Sequence, residues 1–364
     1  MSGKYWENHF TEKLLKCEFE PIAGWECLFF HRRLRLILSV YVDDFKLVGK
    51  KENLNEGWRL ITGSGLVLDP PTPLGDYLGC GQFPVHVPPA EAQRRLEYAR
   101  PLLGDIDESN KVKTGKPVRA IRYNMLGFFR QCVEVYCELA KVAPESLRKV
   151  ATPGMDDHQL KPEDFETEGF LSKDAAKIIM KALYGARLVR FELLWPICSS
   201  ARNASKWTRA CDKRLHRLMC YIHHTPEHSL ESYVGDNAED CHPVLFSYAY
   251  FAGDIIQAKS TSGLYLAIVG PNTFAPVTAS CKKQTCVSHS STESEIVAAE
   301  QGIRCEGLQV LAFWEPVTEL LGTKQIQNAE TLKNEKTAKP GALELNPYSE
   351  KFDPGSYFAY MRKP

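Results

Sequence analysis

Two adjacent carboxylates, Asp43 and Asp44, lie between two short apolar runs and are the residues of this chain best placed for chemistry. Residues 36–42 are rich in apolar and β-branched side chains and too few for a typical helix, and residues 45–48 resume that character before Gly49. The pattern predicts a strand, a tight turn and a second strand. Such a turn brings the two carboxylates close together, where they repel each other unless they are protonated or bridged by cations.

Magnesium, or manganese in its place, suits this pair because it is a hard divalent ion that binds carboxylate oxygens. Two magnesium ions about 4 Å apart are the usual catalysts of in-line phosphoryl transfer in polymerases and nucleases. The alternative is an ordinary hairpin turn, since Asp is a favoured turn residue. Taken alone, the four residues Tyr41-Val42-Asp43-Asp44 leave both interpretations open.

The composition sets the limits for any function. The chain has 364 residues, enough for about two or three domains with substantial cores. Its 45 Lys and Arg residues balance 45 Asp and Glu residues, so any contact with nucleic acid must be local. The 12 cysteines include no C-x-x-C pair, which argues against zinc and favours reduced thiols. Without a signal peptide or a run of 18 apolar residues, we expect an intracellular, cytoplasmic protein that does not enter a membrane.

Two basic segments are candidates for local contacts with nucleic acid. The first carries Arg32, Arg33 and Arg35, immediately before the apolar hairpin. The second runs over residues 206–217, with its charges spaced as on one polar face of a helix. A solvated helix face has the same spacing, so both interpretations of this segment remain open. Its candidate phosphate-binding residues are Lys206, Arg209, Arg214 and Arg217.

The middle of the chain has the spacing of helices. Apolar residues recur at helical intervals over residues 121–142, 174–202 and 207–223. Before them, proline and glycine surround the short segment Tyr77-Leu78-Gly79. That punctuation predicts a turn and a hairpin over residues 70–81.

The last third of the chain predicts a sheet followed by a helix. Short apolar runs alternate with turns over residues 244–287, and helical spacing continues over residues 291–314. Thr292 and Glu295 are spaced as a capping box for that helix. Residues 323–364 are polar and aperiodic, and we expect them to be weakly ordered.

Several motifs, taken in order, resemble one family: the carboxy-terminal part of a copia-type retrotransposon Pol polyprotein. Tyr41-Val42-Asp43-Asp44 matches the Y-V-D-D of the reverse transcriptase palm, and Tyr77-Leu78-Gly79 is similar to the hairpin that holds the primer end. Four ordered elements at family spacing carry the resemblance, whereas Y-V-D-D alone is a weak motif. Residues 246–254, 259–263, 280–284 and 290–295 are similar to the family's Y-S-D-A-D-x-A-G-D, K-S-T-S-G, S-x-K-K-Q and S-S-T-x-A-E.

The resemblance implies a mixed α+β and α/β architecture in three parts and a tail. Residues 1–118 correspond to a partial reverse transcriptase palm with the Y-V-D-D and primer-holding hairpins. Residues 119–228 correspond to a helical thumb or connection, and residues 229–322 to a ribonuclease H-like domain. Residues 323–364 would be the weakly ordered tail.

The resemblance also implies a chemistry, RNA-directed DNA polymerisation with ribonuclease H cleavage. The partners would be an RNA template, a DNA primer or an RNA:DNA hybrid, and the cofactor would be magnesium or manganese. Asp43, Asp44 and Glu295 match the catalytic, metal-binding carboxylates, although Glu295 also fits the capping box. Residues 77–79 and the two basic segments would contact nucleic acid.

The chain departs from the family at catalytic positions. The polymerase needs a third carboxylate, which the family places in an earlier D-V-K-T-A-F-L-type segment of the palm, and this chain lacks such a segment. Tyr248 stands where the first nuclease Asp belongs and Tyr250 replaces the second, and a phenol of pKa about 10 cannot replace a carboxylate. Asp254 is retained, but it belongs to the A-G-D turn and is expected to be a turn residue. After Trp314 the nearest match to the family's C-D-N-Q element, residues 325–328, lacks the acid.

Three hypotheses about function follow. The chain is a polymerase and ribonuclease H fragment that is catalytically incomplete on its own, or an inactive relic that at most binds nucleic acid, or an interaction protein that reuses the helical connection. The tyrosines at positions 248 and 250 favour the second hypothesis for the chemistry itself.

Overall fold

The computed structural model describes residues 2–99, 118–254 and 257–322, so the predicted tail and residues 325–328 lie outside the described part. The fold is mixed α/β with antiparallel sheets, which confirms the predicted class at that level. The α-helices are α1 (Ser2–Lys16), α2 (Lys51–Gly63), α3 (Pro89–Ala99), α4 (Leu126–Ala140), α5 (Pro162–Glu166), α6 (Ala175–Val189), α7 (Leu194–Ala201), α8 (Arg209–His224), α9 (Ser291–Gly302) and α10 (Leu308–Leu321). The strands are β1 (Glu20–Ile22), β2 (Trp25–His31), β3 (Leu36–Tyr41), β4 (Asp44–Gly49), β5 (Asp76–Tyr77), β6 (Cys80–Val85), β7 (Arg119–Asn124), β8 (Leu230–Val234), β9 (His242–Tyr250), β10 (Thr261–Gly270) and β11 (Thr273–Lys283).

The first sheet has the order β1-β2-β3-β4 and contains the predicted hairpin. Side chains alternate along β3, so that Leu36, Leu38 and Val40 are buried on one face. They form a core with Phe10 and Leu14 of α1 and with side chains of α2. The apolar positions that predicted the strand are therefore the positions that hold the hairpin on its two helices.

The second sheet has the order β5-β6-β7-β8-β11-β10-β9 and draws strands from all three of the predicted parts. Strands β8 and β11 meet at Tyr233 and Phe274, which joins β5–β7 to the meander β9–β11. The helix predicted to begin at Ile121 begins at Leu126 instead, because the residues before it form β7. Asn124 accepts a hydrogen bond from the Leu126 amide at 2.7 Å, where the chain leaves the strand for the helix.

Helices α4, α6, α7 and α8 cover one face of this sheet and share its main core. The single helix predicted over residues 174–202 is interrupted at Arg190, between α6 and α7. Arg190 is fully buried and donates to the main-chain carbonyl and the hydroxyl of Thr225, both at 2.9 Å, and also pairs with Glu192. The Arg190 side chain thereby joins the break between α6 and α7 to the end of α8.

The last helix extends beyond its predicted end. A turn of π-helix, Ile303–Gly307, separates α9 from α10, which continues to Leu321. Gly302 lies close to the sheet, since a Cβ there would come within 2.8 Å of the Leu264 side chain. In the described part of the chain, no helix combines the length and apolar character needed to cross a bilayer.

Candidate functional site

The carboxylates Asp43 and Asp44 lie at the tip of the predicted hairpin. Tyr41 of β3 is opposite Asp44 of β4, so that Val42 and Asp43 form a two-residue turn. Val42 has φ +53°, the left-handed conformation that such turns require. Both aspartate side chains are exposed to solvent. The hairpin prediction is confirmed, and the role of these carboxylates in metal binding stays a prediction.

The predicted primer-holding turn lies against the polar face of this hairpin. Ser39 and Lys46 are opposite each other on β3 and β4. The Tyr77 hydroxyl is 3.0 Å from the Ser39 hydroxyl, and the Lys46 ammonium group lies 5.1 Å from the centre of the Tyr77 ring. Burial lowers the pKa of Lys46. Sequence reasoning missed Ser39 and Lys46, although their alternation with buried Leu and Val residues marks them as one face of the strand.

The turn itself is held from the other side by a helix. Leu78 and Gly79 both have positive φ, at 53° and 73°, as a tight two-residue hairpin turn requires. The Tyr184 hydroxyl of α6 donates to the Leu78 carbonyl at 2.8 Å. The structure thus brings Tyr77, Leu78 and Gly79 together with the Asp43–Asp44 hairpin and with the helical connection.

Three of the four motifs in the last third of the chain meet in one buried hydrogen-bond network. The Gln284 amide donates to the Ser262 hydroxyl at 3.1 Å and to the Ser294 carbonyl at 2.8 Å, and it accepts from Ser288 at 3.4 Å. The Gln284 main-chain amide donates to the Ser260 carbonyl at 2.9 Å. All five residues are buried. The network fixes the start of α9 to strands β10 and β11, a role that the sequence analysis did not assign to these polar residues.

Asp254 holds the loop between β9 and β10 through contacts of its carboxylate. Its carboxylate accepts from the Gln257 amide at 2.8 Å and pairs with Lys283. The Ser260 hydroxyl in turn accepts from the Ala252 amide at 3.1 Å. These contacts are those of a turn residue, the role expected for Asp254, and they connect the A-G-D turn to the end of β11.

The capping box predicted for α9 is displaced by two residues. Ser290, not Thr292, is the N-cap residue and accepts from the Glu293 amide at 3.1 Å, while the Glu293 carboxylate accepts from the His289 amide at 2.6 Å. The capping interpretation of Glu295 is therefore wrong. Both Ser290 and Thr292 are followed by Glu three positions later, so the spacing alone could not distinguish them.

Glu295 instead reaches the sheet. Its carboxylate accepts a hydrogen bond from the Ala249 main-chain amide at 2.9 Å, directly after Tyr248 in the chain. Burial raises the pKa of Glu295, and the hydrogen bond from Ala249 partly offsets that shift. Glu295 thus lies beside the part of β9 that carries Tyr248, and its role in metal binding stays a prediction.

The two tyrosines occupy the end of β9. Tyr248 is opposite Gly263 and Tyr250 is opposite Thr261 on β10. The Tyr250 ring lies on Gly253, where a Cβ would come within 1.9 Å of the ring. The A-G-D turn is therefore folded around an aromatic ring that is half exposed.

The carboxylates present do not fit the two-metal centre that the resemblance implies. Such a centre requires several acidic ligands around each pair of ions. Where α9 meets β9, Glu295 contacts Ala249, and the residue beside it on the strand is Tyr248 instead of an aspartate. At the hairpin, Asp43 and Asp44 are two exposed carboxylates. Within residues 2–99, 118–254 and 257–322, no group of three or more His, Cys, Asp or Glu side chains is arranged to hold a metal ion.

The arginines of the first basic segment bind protein groups. The Arg32 guanidinium donates to Glu319 of α10 at 3.0 Å, and Arg33 lies 3.7 Å from the Glu18 carboxylate. Arg35 donates to the Leu320 carbonyl at 2.7 Å and also to the Gly322 carbonyl. Nucleic-acid binding by these three residues stays a prediction, and in this structure their partners are anions and carbonyls of the same chain.

The second basic segment holds residues 152–167 against α8. Arg209 and Lys213 both donate to the buried carboxylate of Asp164, at 2.6 Å. The remaining contacts of this face are Arg214 with Asp157 and Arg217 with Gly154 and Thr152, whereas Lys206 is exposed. Most of the predicted phosphate-binding residues thus contact groups of the same chain.

Comparison of the chain with known protein families, with curated proteins and with solved structures finds no match.

Proposed function

We propose that this chain derives from the carboxy-terminal part of a copia-type Pol polyprotein and keeps its scaffold without its chemistry. On this proposal it is an RNA-directed DNA polymerase and ribonuclease H fragment that is catalytically incomplete on its own. What remains is a protein that binds nucleic acid or other partners without cutting or copying them.

The observation that carries the proposal is the contact between Glu295 and the Ala249 amide. In a ribonuclease H-like site the helix acid and the strand acid share metal ions. Two contacts support the proposal: the Glu295 carboxylate lies beside β9, and the network around Gln284 fixes the helix that carries it. The resemblance aligns Tyr248 with the strand acid. One carboxylate supplies too little negative charge and too few oxygens for two divalent ions.

The same argument applies to the polymerase half. Asp43 and Asp44 are exposed at the hairpin tip, and the palm segment that carries the third carboxylate is missing from the sequence. Purified protein with magnesium or manganese should therefore give no primer extension on an RNA template. Incorporation that Asp43→Asn abolishes would refute this part of the proposal.

The nuclease half is tested by restoring acids at positions 248 and 250. We expect no cleavage of an RNA:DNA hybrid by the natural chain. A variant with Tyr248→Asp and Tyr250→Asp tests whether these two positions alone disabled the site. Cleavage by that variant, abolished again by Glu295→Gln, would identify the tyrosines as the cause. Cleavage by the natural chain would refute the proposal.

A further inference from the structure

The connection between β2 and β3, residues 31–35, carries three arginines and is called the arginine turn below. Leu34 is buried in the first core and fixes the turn in place. Arg35 has φ +53°, and its amide donates to the Arg32 carbonyl at 3.2 Å, which closes the turn. The side chains of Arg32 and Arg33 are more than half exposed, so the turn presents cationic groups on a rigid support.

The end of α10 lies on this turn. Arg35 binds the last carbonyls of the helix, at Leu320 and Gly322, and Arg32 pairs with Glu319. The carboxyl end of a helix has unpaired carbonyls and partial negative charge, which a guanidinium group complements. At the other end of β2, the rings of Trp25 and Phe313 lie 5.0 Å apart between their centres, which is a contact with the middle of α10. The turn itself meets the helix end through hydrogen bonds and an ion pair.

We propose that the end of α10 masks a phosphate-binding surface on the arginine turn, and that the phosphodiester backbone of nucleic acid displaces it. The inference does not depend on the loss of catalysis proposed above. A guanidinium group donates to phosphate oxygens as it does to carboxylate oxygens, so the Arg32 nitrogen that donates to Glu319 at 3.0 Å could donate to a phosphate instead.

The contact is suited to displacement. Arg32 and Glu319 are both about half exposed, with 59% and 48% of their side-chain surface accessible, and ion pairs of this exposure are weak. A nucleic-acid strand offers several phosphates to the turn at once and releases bound counterions when it binds. Glu18 and Glu20 also lie beside the turn, at 3.7 Å from Arg33 and 3.6 Å from Arg32, but they belong to the chain around the start of β1 and not to α10. The helix end is therefore the removable part of the mask.

The test measures binding of a fluorescein-labelled oligothymidylate of about 20 nucleotides to the full chain by anisotropy, at low salt. Glu319→Gln removes the charge that holds Arg32 and should tighten binding about five-fold. Glu300→Gln is the matched control, because it removes one charge from an exposed ion pair, with Arg304, elsewhere on the same helical segment. It should change binding less than about two-fold. Adding Arg32→Gln to Glu319→Gln should reverse the gain.

Hydrogen exchange of the natural chain gives a second measurement that needs no variant. Oligothymidylate should accelerate exchange of the amides in the last turn of α10, because Arg35 then leaves the helix carbonyls. The proposal is overturned if Glu319→Gln and Glu300→Gln tighten binding equally, if no variant binds, or if bound oligothymidylate leaves that exchange unchanged. The first of these outcomes would indicate a long-range effect of net charge, and the others a purely structural contact.

Discussion

The Glu295 carboxylate accepts a hydrogen bond from the Ala249 amide at 2.9 Å, so helix α9 is attached to strand β9 immediately after Tyr248. The acid that the proposed function assigns to metal binding is engaged with the main chain. Because burial raises its pKa, the carboxylate has lost part of its contact with water. Glu295 is therefore a structural contact of the sheet edge, besides being the acid that the proposed function assigns to the nuclease site.

Replacing Glu295 measures how much its hydrogen bond with Ala249 contributes to the stability of the fold. Glu295→Ala should destabilise the protein by about 1–2 kcal/mol, because the Ala249 amide loses its acceptor. Glu295→Gln keeps an oxygen at that position and should cost less than about 0.5 kcal/mol. Denaturant unfolding of both variants, with Glu300→Ala as a surface control, checks the prediction. Equal losses for the Ala and Gln variants would show that the charge, not the hydrogen bond, matters.

Gln284 should be among the most sensitive polar positions in the chain. Gln284→Ala removes the partner of two serines and of a helix carbonyl that are all buried, and should cost about 2–4 kcal/mol. Gln131→Ala, an exposed amide on α4, should stay within about 0.5 kcal/mol of the natural chain. A loss below about 1 kcal/mol at Gln284 would contradict the role of the network in fixing α9.

Strands that show a local pattern of apolar runs and turns could be predicted from the sequence. The hairpin at Asp43 followed from two apolar runs around a turn, and the sheet over residues 244–287 followed from short runs between turns. Residues 121–124 were assigned to the helix that follows them, over residues 121–142. Only pairing with β6 and β8, which are distant in sequence, makes them a strand.

The partners of charged residues were the least predictable feature. Arg35 lies 285 positions before Leu320 in the sequence, and no local pattern links the two. The basic face of α8 has the spacing of a surface helix, which is equally compatible with solvent, phosphate or the Asp164 carboxylate that it binds. Spacing identifies which residues share a face, whereas the group that the face contacts depends on the tertiary fold.

The packing of α6 against α4 predicts opposite effects for two glycine substitutions. A Cβ on Gly185 would come within 2.8 Å of the Phe128 and Phe129 rings, so Gly185→Ala should destabilise the protein by about 1–3 kcal/mol. Gly127 on α4 has open space around its Cα, and Gly127→Ala should be neutral or stabilising by up to about 1 kcal/mol. Thermal unfolding of the two variants checks the pair, and a stabilised Gly185 variant would contradict the close helix contact.

The burial of His31 predicts that the folded protein loses stability in mild acid. The ring is fully buried, and burial lowers its pKa although Glu18 opposes the shift. The unfolded chain therefore takes up this proton at a higher pH than the folded chain, so stability should fall as the pH drops through about 6.5, the unfolded value. His31→Asn keeps an acceptor for the Leu34 amide and should reduce this fall, whereas His289→Asn at an exposed position should not. Equal pH profiles for all three proteins would exclude His31 as the cause.

Cleavage of an RNA:DNA hybrid by the purified natural chain, with magnesium and with manganese, tests the central claim most directly. The claim is that the site around Glu295 is folded but has too few carboxylates to hold the catalytic ions. It predicts an intact hybrid after prolonged incubation, with circular dichroism and a cooperative unfolding transition showing that the protein is folded. Hybrid cleavage that Glu295→Gln abolishes would contradict it.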